Sequence, residues 1–295
     1  MRLRSTYLLA LVSCLSIAAG LILIVFHETG TRPGESAPGP APLQAMPASA
    51  SHQAIPIPNY LAVTDSCGPS FEGGCLNIRS GPGDSFPSIG KVRTGTVLAI
   101  STTSTVTDDR GHSWYRVAFN EWVRYPGRVT GDWYVAGNYV RTFTDPGSQE
   151  VAQDIQTTLL KARESLGLLP AGKRIIIDRS EQRLYAYDGE ELFMETPVST
   201  GLDLTPTPRG AFTIYRKTPS RYMQGPLPGI SDQYYDLPGV PWNLYFTAEG
   251  GAIHGAYWHA EFGKQWSHGC VNLPLDMAEK LYGWALLGTS VLVRD

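Results

Sequence analysis

An excess of charge of one sign is missing from this sequence. Its 24 Lys and Arg residues stand against 27 Asp and Glu residues, and only 17% of the 295 residues are charged. Such a chain has no basic field that would hold a polyanion, which excludes nucleic acid as an expected partner. With 42% hydrophobic and 11% aromatic residues, it has enough apolar material for large globular cores.

Cysteine is scarce, and its usual metal-binding patterns are missing. The four cysteines are Cys14, Cys67, Cys75 and Cys270. Neither a CxxC nor an HExxH pattern occurs, which argues against a zinc site. Two alternatives remain for Cys270: a metal site shared with His254, His259 and His268, and a buried cysteine without chemistry.

Long apolar runs are also missing, apart from residues 7–26, which follow Arg2 and Arg4. About 20 apolar residues span a bilayer, so we expect residues 1–26 to be a membrane anchor with the rest of the chain outside the cytoplasm. A cleaved signal segment and lipid attachment at Cys14 are the alternatives. All three export the chain from the cytoplasm.

Export changes the meaning of the cysteines, because disulfides persist outside the cytoplasm. Cys67 and Cys75 flank a glycine-rich loop that would bring them together as a disulfide. That pairing leaves Cys270 single, and an unpaired thiol in an exported protein is a candidate for reactivity. A long-range bridge from Cys270 to Cys67 or Cys75 is the alternative.

The remaining chain divides by composition. Residues 27–58 are rich in Pro, Ala and Ser and are expected to form an extended linker. Residues 59–145 and 172–295 each contain short runs of β-forming residues separated by turns, which predicts a mainly β protein. Apolar spacings of three and four predict a connecting helix over 146–171.

The first β-rich region resembles a bacterial SH3-like domain. The similarity lies in LNIRSGPG at 76–83, GKV at 90–92, GT at 95–96 and WYRV at 114–117. It implies a small barrel over 59–145 that binds cell wall or peptide. A spacer barrel without a ligand is the alternative. One departure from the family is residues 121–132, which enlarge a loop.

Cys270 lies in a setting suited to thiol chemistry. A helix is expected to begin near Pro274, and its positive end would lower the thiol pKa. Gly269 lets the backbone amides of Gly269 and Cys270 approach an oxyanion. Of the two nearby histidines, His268 is only two positions away and would point elsewhere in a turn. We therefore expect His254 to be the general base and His268 to support the loop by hydrogen bonding within it, which together predict thiol acyl transfer.

At this point the residues resemble the YkuD-type L,D-transpeptidase catalytic domain. The similarity comprises His254 followed by SHGCVN at 267–272, with RIIID at 174–178, QRLY at 182–185, PVSTG at 197–201, TP at 207–208 and GAF at 210–212. It implies a β-rich catalytic domain over 172–295 with one or two helices, a cysteine acyl-enzyme, and covalent inhibition by carbapenems.

The resemblance also implies roles for single residues. Cys270 is matched to the nucleophile and His254 to the base, which the main-chain carbonyl of Gly255 orients in place of an acidic residue. Pocket positions are matched by Ser267, Asn272 and Trp258.

The implied reaction uses stem peptides of peptidoglycan. Cys270 would attack the bond before the terminal D-alanine of a tetrapeptide stem, and an amine of a second stem would then take the acyl group without metal or organic cofactor. With water as acceptor, the protein would be an L,D-carboxypeptidase. A non-catalytic wall-binding protein is the other alternative, whereas cysteine endopeptidases are disfavoured because their cysteine precedes the histidine.

Overall fold

The structure is a computed structural model that describes residues 59–119, 123–145, 172–229 and 232–295. Three predicted segments lie outside these residues: the anchor 1–26, the linker 27–58 and the connecting helix 146–171. In the described part, no helix is long and apolar enough to cross a membrane.

The described residues form sixteen strands and one α-helix, which confirms the predicted mainly β class. The described residues make up one compact unit. This unit holds three sheets.

The first sheet, here called the N-terminal sheet, is antiparallel and has seven strands in the order β3-β2-β6-β5-β4-β1-β7. Its strands are β1 (Asn59–Val63), β2 (Leu76–Arg79), β3 (Ser88–Val92), β4 (Val97–Thr107), β5 (Ser113–Val117), β6 (Tyr134–Ala136) and β7 (Val140–Thr144). Alternation along β2 buries Leu76 and Ile78 while their neighbours are half-exposed. The identity of this sheet as an SH3-like domain stays a prediction.

A disulfide joins Cys67 and Cys75 in the loop between β1 and β2. Their Cα atoms lie 4.4 Å apart. Cys270 is a free thiol.

The C-terminal region holds a five-stranded and a four-stranded sheet, with orders β10-β9-β8-β16-β11 and β12-β13-β14-β15. The strands of the first are β8 (Arg174–Asp178), β9 (Arg183–Asp188), β10 (Glu191–Pro197), β11 (Gly210–Thr213) and β16 (Ser290–Arg294). Those of the second are β12 (Arg216–Gln224), β13 (Asp236–Tyr245), β14 (Ala252–Gly255) and β15 (Val271–Leu273).

The single helix, α1 (Leu275–Trp284), follows β15 directly. Pro274 stands at its N-cap, close to the position expected for the helix start. Ala278, Leu281 and Tyr282 form its buried face, and all three belong to a core that the two C-terminal sheets share. Burial of this face holds the helix beside β13 and β14.

The N-terminal sheet shares its apolar interior with the C-terminal sheets. Tyr60, Ala62 and Val97 are buried in the same cluster as Ile253 of β14. The hydroxyl of Ser220 on β12 donates a 2.6 Å hydrogen bond to the Val97 carbonyl. The two regions are therefore joined by packing and by buried hydrogen bonds.

Two leucines on adjacent strands provide a test of this packing. Leu184 on β9 is fully buried, whereas Leu192 on β10 is 47% exposed. Leu184→Ala is expected to lower the free energy of unfolding by about 2–5 kcal/mol, because it leaves a cavity in the core. Leu192→Ala is the matched control and should cost less than about 1 kcal/mol. Urea unfolding of both variants measures the difference, and equal losses would contradict the assigned core.

Candidate active site

The site is built on the parallel pairing of β14 with β15, in which His254 lies opposite Asn272. Cys270 directly precedes β15, two residues before Asn272, and lines the same cavity as Asn272 and His254. The opposite face carries Ile253 and Val271, both buried in the core. Strand register thus brings together a histidine and a cysteine that are sixteen positions apart in the sequence.

A cavity of about 440 Å³ opens on this face. His268 lines this cavity, and so do the five other predicted site residues that have a side chain. These are Cys270, His254, Ser267, Asn272 and Trp258. The remaining lining is largely apolar and consists of Leu202, Met223, Leu227, Gln233, Tyr235, Leu237 and Trp266.

His254 is buried, with only 2% of its surface exposed. Its Nδ1 lies 3.0 Å from the carbonyl oxygen of Gly255. Burial lowers the pKa of His254 to about 4, so the ring is neutral at pH 7 and its Nδ1–H donates to that carbonyl. This tautomer leaves Nε2 as the unprotonated nitrogen. The ring also lies beside Trp258, with centroids 5.8 Å apart.

Gly255 stands where no side chain would fit. A Cβ atom at this position would lie 2.9 Å from the Pro241 side chain and 3.2 Å from that of Ala278. Glycine therefore lets β14 approach α1 closely, while the Gly255 carbonyl accepts a hydrogen bond from His254 Nδ1–H.

The Cys270 thiol does not have the lowered pKa expected from the sequence. Burial raises its pKa, and a hydrogen bond from the Ala252 amide opposes that rise only in part. The expectation was wrong because β15 separates Cys270 from α1, which begins at Leu275. Three strand residues advance the chain by about 10 Å, whereas the helix dipole acts within its first turn.

The turn before β15 is held by Ser267. Its hydroxyl donates a 2.5 Å hydrogen bond to the Cys270 carbonyl and accepts one of 3.2 Å from the Gly269 amide. Gly269 has a φ of 111°, a backbone conformation that favours glycine. Since the Gly269 amide already has a partner within the turn, its expected role as an oxyanion donor requires it to leave Ser267.

The sequence predicted that His268 would hydrogen-bond within its own loop. This prediction was wrong, because its partner lies outside that loop. Its Nε2 contacts the side-chain oxygen of Gln233, and its ring stacks on Tyr235 with centroids 5.7 Å apart. Burial lowers the pKa of His268. His268 thus links the turn at 267–270 to the connection between β12 and β13.

Asn272 contacts His259, which the sequence had raised only as a possible metal ligand. His259 Nε2 lies 2.8 Å from the Asn272 carboxamide, and His259 Nδ1 accepts from the Glu261 amide. Burial lowers the pKa of His259 to about 4, so this ring is also neutral at pH 7. His259 therefore braces Asn272. Within the described ranges, no three His, Cys, Asp or Glu side chains group as a metal site.

Thr207 has a role that the sequence did not predict. Its buried hydroxyl donates to the Gly269 carbonyl at 3.0 Å and accepts from the Gly201 amide at 2.9 Å. It thereby ties the segment at 197–201 to the turn at 267–270. Its place in a family-like TP pair was the only sequence signal for this role.

Comparison with known proteins identifies the C-terminal region. Residues 172–293 match the family model of the YkuD L,D-transpeptidase catalytic domain. By this match, the C-terminal domain belongs to the L,D-transpeptidase family. The matched range of this L,D-transpeptidase domain contains every residue of the site described above. No curated protein matches the chain.

Solved L,D-transpeptidases overlap with parts of the chain. A crystal structure of an Enterococcus faecium L,D-transpeptidase mutant is 28% identical over 42% of this chain and 50% of that chain, with a TM-score of 0.38. The E. faecium catalytic domain acylated by ertapenem is 28% identical over 42% of this chain and 98% of that chain, with a TM-score of 0.37. An L,D-transpeptidase from Mycobacterium smegmatis is 21% identical over 68% of this chain and 90% of that chain, with a TM-score of 0.40.

The chain spans about half the length of the E. faecium protein in that crystal structure. Because each likeness is partial, the family assignment of the L,D-transpeptidase domain rests on the sequence match over 172–293.

The charge state of the site predicts how the free thiol responds to pH. The Cys270 pKa is raised, and His254 is neutral above about pH 4, so no imidazolium stabilises a thiolate at neutral pH. Alkylation by iodoacetamide is therefore expected to rise about tenfold per pH unit between about pH 6 and pH 8. Mass mapping of the Cys270 peptide measures the rate without interference from Cys14. A constant rate below pH 7 would indicate a thiolate–imidazolium pair instead.

Proposed function

We propose that this protein is a peptidoglycan L,D-transpeptidase. It forms an acyl-enzyme on Cys270 from a tetrapeptide stem, releases D-alanine and passes the acyl group to an amine of a second stem. The observation that carries the proposal is the shared face of Cys270 and His254 at the 440 Å³ cavity. The family match over 172–293 supports the choice of reaction.

The first half of the reaction starts from two neutral groups. Sγ of Cys270 attacks the carbonyl carbon that joins the L-centre of the third stem residue to D-alanine, and the thiol proton passes to Nε2 of His254. Transfer of the proton during attack suits a raised thiol pKa and a lowered histidine pKa, because neither group is charged beforehand. The Cys270 amide is the expected donor to the oxyanion that forms.

Collapse of this intermediate breaks the carbon–nitrogen bond. The proton held by His254 passes to the departing amine of D-alanine, and a thioester on Cys270 remains. The Gly255 carbonyl keeps the imidazole oriented throughout, because it accepts a hydrogen bond from Nδ1–H in both the neutral and the charged state of the ring.

The second half repeats the pattern with a new nucleophile. The amine of a second stem attacks the thioester while His254 accepts its proton, and the sulfur leaves with a proton returned from the imidazolium. The product is an amide cross-link, and no step uses a metal or an organic cofactor. If water attacks instead, the product is a tripeptide.

The lining of the cavity suits a peptide donor. Trp258 and the apolar side chains cover a stem peptide, while the few polar groups orient it. Ser267 holds the turn at 267–270, here called the nucleophile turn, and Asn272, which contacts His259, lines the same cavity as Cys270. These residues bind and position substrate but exchange no proton with it.

We also propose that the reaction takes place outside the cytoplasm. The Cys67–Cys75 disulfide favours an oxidising compartment, and the apolar run at 7–26 favours anchoring in the cytoplasmic membrane. The N-terminal sheet would then stand between the membrane anchor and the L,D-transpeptidase domain in sequence, where it has access to the wall.

Mass spectrometry of the whole chain tests the acyl-enzyme. Incubation with disaccharide tetrapeptide is expected to release D-alanine. Incubation with a carbapenem is expected to add one molecule to Cys270, because opening its strained lactam keeps the leaving amine attached to the adduct. Cys270→Ala should abolish both results.

The products separate the alternatives. Cross-linked dimers indicate a transpeptidase, whereas tripeptide alone indicates an L,D-carboxypeptidase. If the folded wild-type chain forms no adduct and releases no D-alanine, the proposal is wrong and a non-catalytic wall-binding function takes its place.

Alanine variants of the two histidines test the assignment of the base. His254→Ala is expected to lower the acylation rate by about 100-fold to 10,000-fold, because the thiol loses its proton acceptor. His268→Ala should lower it by only about tenfold, because this histidine contacts the loop and not the reacting atoms. Stopped-flow acylation by a carbapenem compares them. The reverse order of effects would make His268 the base.

A further inference from the structure

One loop of the N-terminal sheet contacts the wall of the active-site cavity. This bracing loop, residues 123–132, lies between β5 and β6 and falls within the segment that departs from the SH3-like pattern. It faces the pocket loop, defined here as residues 225–229 and 232–235 between β12 and β13.

Three hydrogen bonds join the bracing loop to the base of the pocket loop. The Tyr125 amide donates to the side-chain oxygen of Gln224 at 2.9 Å, and the Tyr125 hydroxyl donates to the Pro226 carbonyl at 2.8 Å. Arg128 Nη1 donates to the Gly225 carbonyl at 2.8 Å. All three acceptors belong to consecutive residues, so the start of the pocket loop is held at each position.

Arg128 makes a second kind of contact. Its guanidinium lies over the ring of Tyr125, 4.2 Å from the centroid, and over that of Tyr234, 4.6 Å from the centroid. The planar cation therefore stands between one aromatic ring of the bracing loop and one of the pocket loop. Lysine would keep the charge but lose this planar stacking.

The far side of the pocket loop reaches the nucleophile turn. The Gly225 amide donates to the Tyr235 carbonyl at 2.8 Å, which closes the base of the loop. Tyr235 then stacks on His268, and Gln233 hydrogen-bonds the same ring. Gln233 and Tyr235 both line the catalytic cavity. An unbroken series of contacts thus runs from Arg128 to the residue two positions before Cys270.

We propose that Tyr125 and Arg128 are positioning residues for the active site. They hold the pocket loop so that Gln233 and Tyr235 form one wall of the substrate cavity. The N-terminal sheet thereby contributes to substrate binding in addition to any contact it makes with the wall. This inference rests on the proposed function for its kinetic consequence, but its structural consequence is independent of the reaction.

A positioning role differs from simple packing in what it changes. Loss of packing alone would lower the free energy of unfolding and leave the substrate affinity of the folded enzyme unchanged. Loss of positioning would weaken binding at the cavity, because the wall carrying Gln233 and Tyr235 is no longer held. The attack of Sγ on a bound donor would change little, because Tyr125 and Arg128 touch no reacting atom.

The test compares Arg128→Ala, Arg128→Lys and Tyr125→Phe in the whole chain. Arg128→Ala is expected to raise KM for disaccharide tetrapeptide about tenfold, with kcat within a factor of about two, because a charged hydrogen bond and a stacking contact are lost. Arg128→Lys should recover part of the KM. Tyr125→Phe removes only one hydroxyl and should raise KM by about threefold.

Hydrogen exchange supplies a measurement that needs no turnover. Exchange in the peptide carrying 225–229 is expected to become about tenfold faster in Arg128→Ala, since the Gly225 amide loses its held position. The matched control is Arg110→Ala, which removes a 67% exposed arginine of the N-terminal sheet that pairs only weakly with Asp84 at 3.7 Å. It should change neither KM nor exchange.

The outcomes separate this inference from the proposed function. If the wild-type chain does not react with the tetrapeptide, the proposed function is wrong, and exchange alone decides the present inference. If Arg128→Ala and Tyr125→Phe both keep wild-type KM and wild-type exchange at 225–229, the bracing role is wrong even when the enzyme is active. Should Arg128→Ala fail to fold, Tyr125→Phe carries the same comparison.

Discussion

The parallel pairing of β14 with β15 is the constraint on which the site depends. Its register places His254 opposite Asn272, and Cys270, directly before β15, lines the same cavity. The core on the opposite face, which includes Ile253 and Val271, secures that register, since a slip by one residue would turn the cysteine away from the cavity. One strand pair therefore carries residues of the proposed active site on one side and core residues on the other.

Burial at this pairing also determines the chemistry available. The same packing that shapes the cavity buries His254 and limits the contact of Cys270 with water, which lowers the pKa of the imidazole and raises that of the thiol. Both shifts favour the neutral pair. In the proposed mechanism the carbonyl of Gly255 takes the place of an acidic third member, because a neutral histidine needs orientation more than it needs a compensating charge.

Much of the site could be predicted from local sequence. Cys270 and His254 lie beside or in short runs that suit strands, and the turn at 267–270 needs a glycine. The role of Gly255 was implied only by the resemblance to L,D-transpeptidases. The thiol pKa could not be predicted, because it depends on burial and on the strand between Cys270 and the helix. The partners of His268 were missed for another reason: Gln233 is 35 positions away and no periodicity points to it.

The sequence by itself determined a mainly β chain, a pair of cysteines eight residues apart, and a histidine and a cysteine on segments suited to strands, because these follow from composition and short-range pattern. Only the tertiary structure decided that the histidine and cysteine are both neutral and that Tyr125 and Arg128 reach the wall of the cavity. Desolvation and contacts between distant loops depend on how whole sheets pack, and local patterns do not encode that packing.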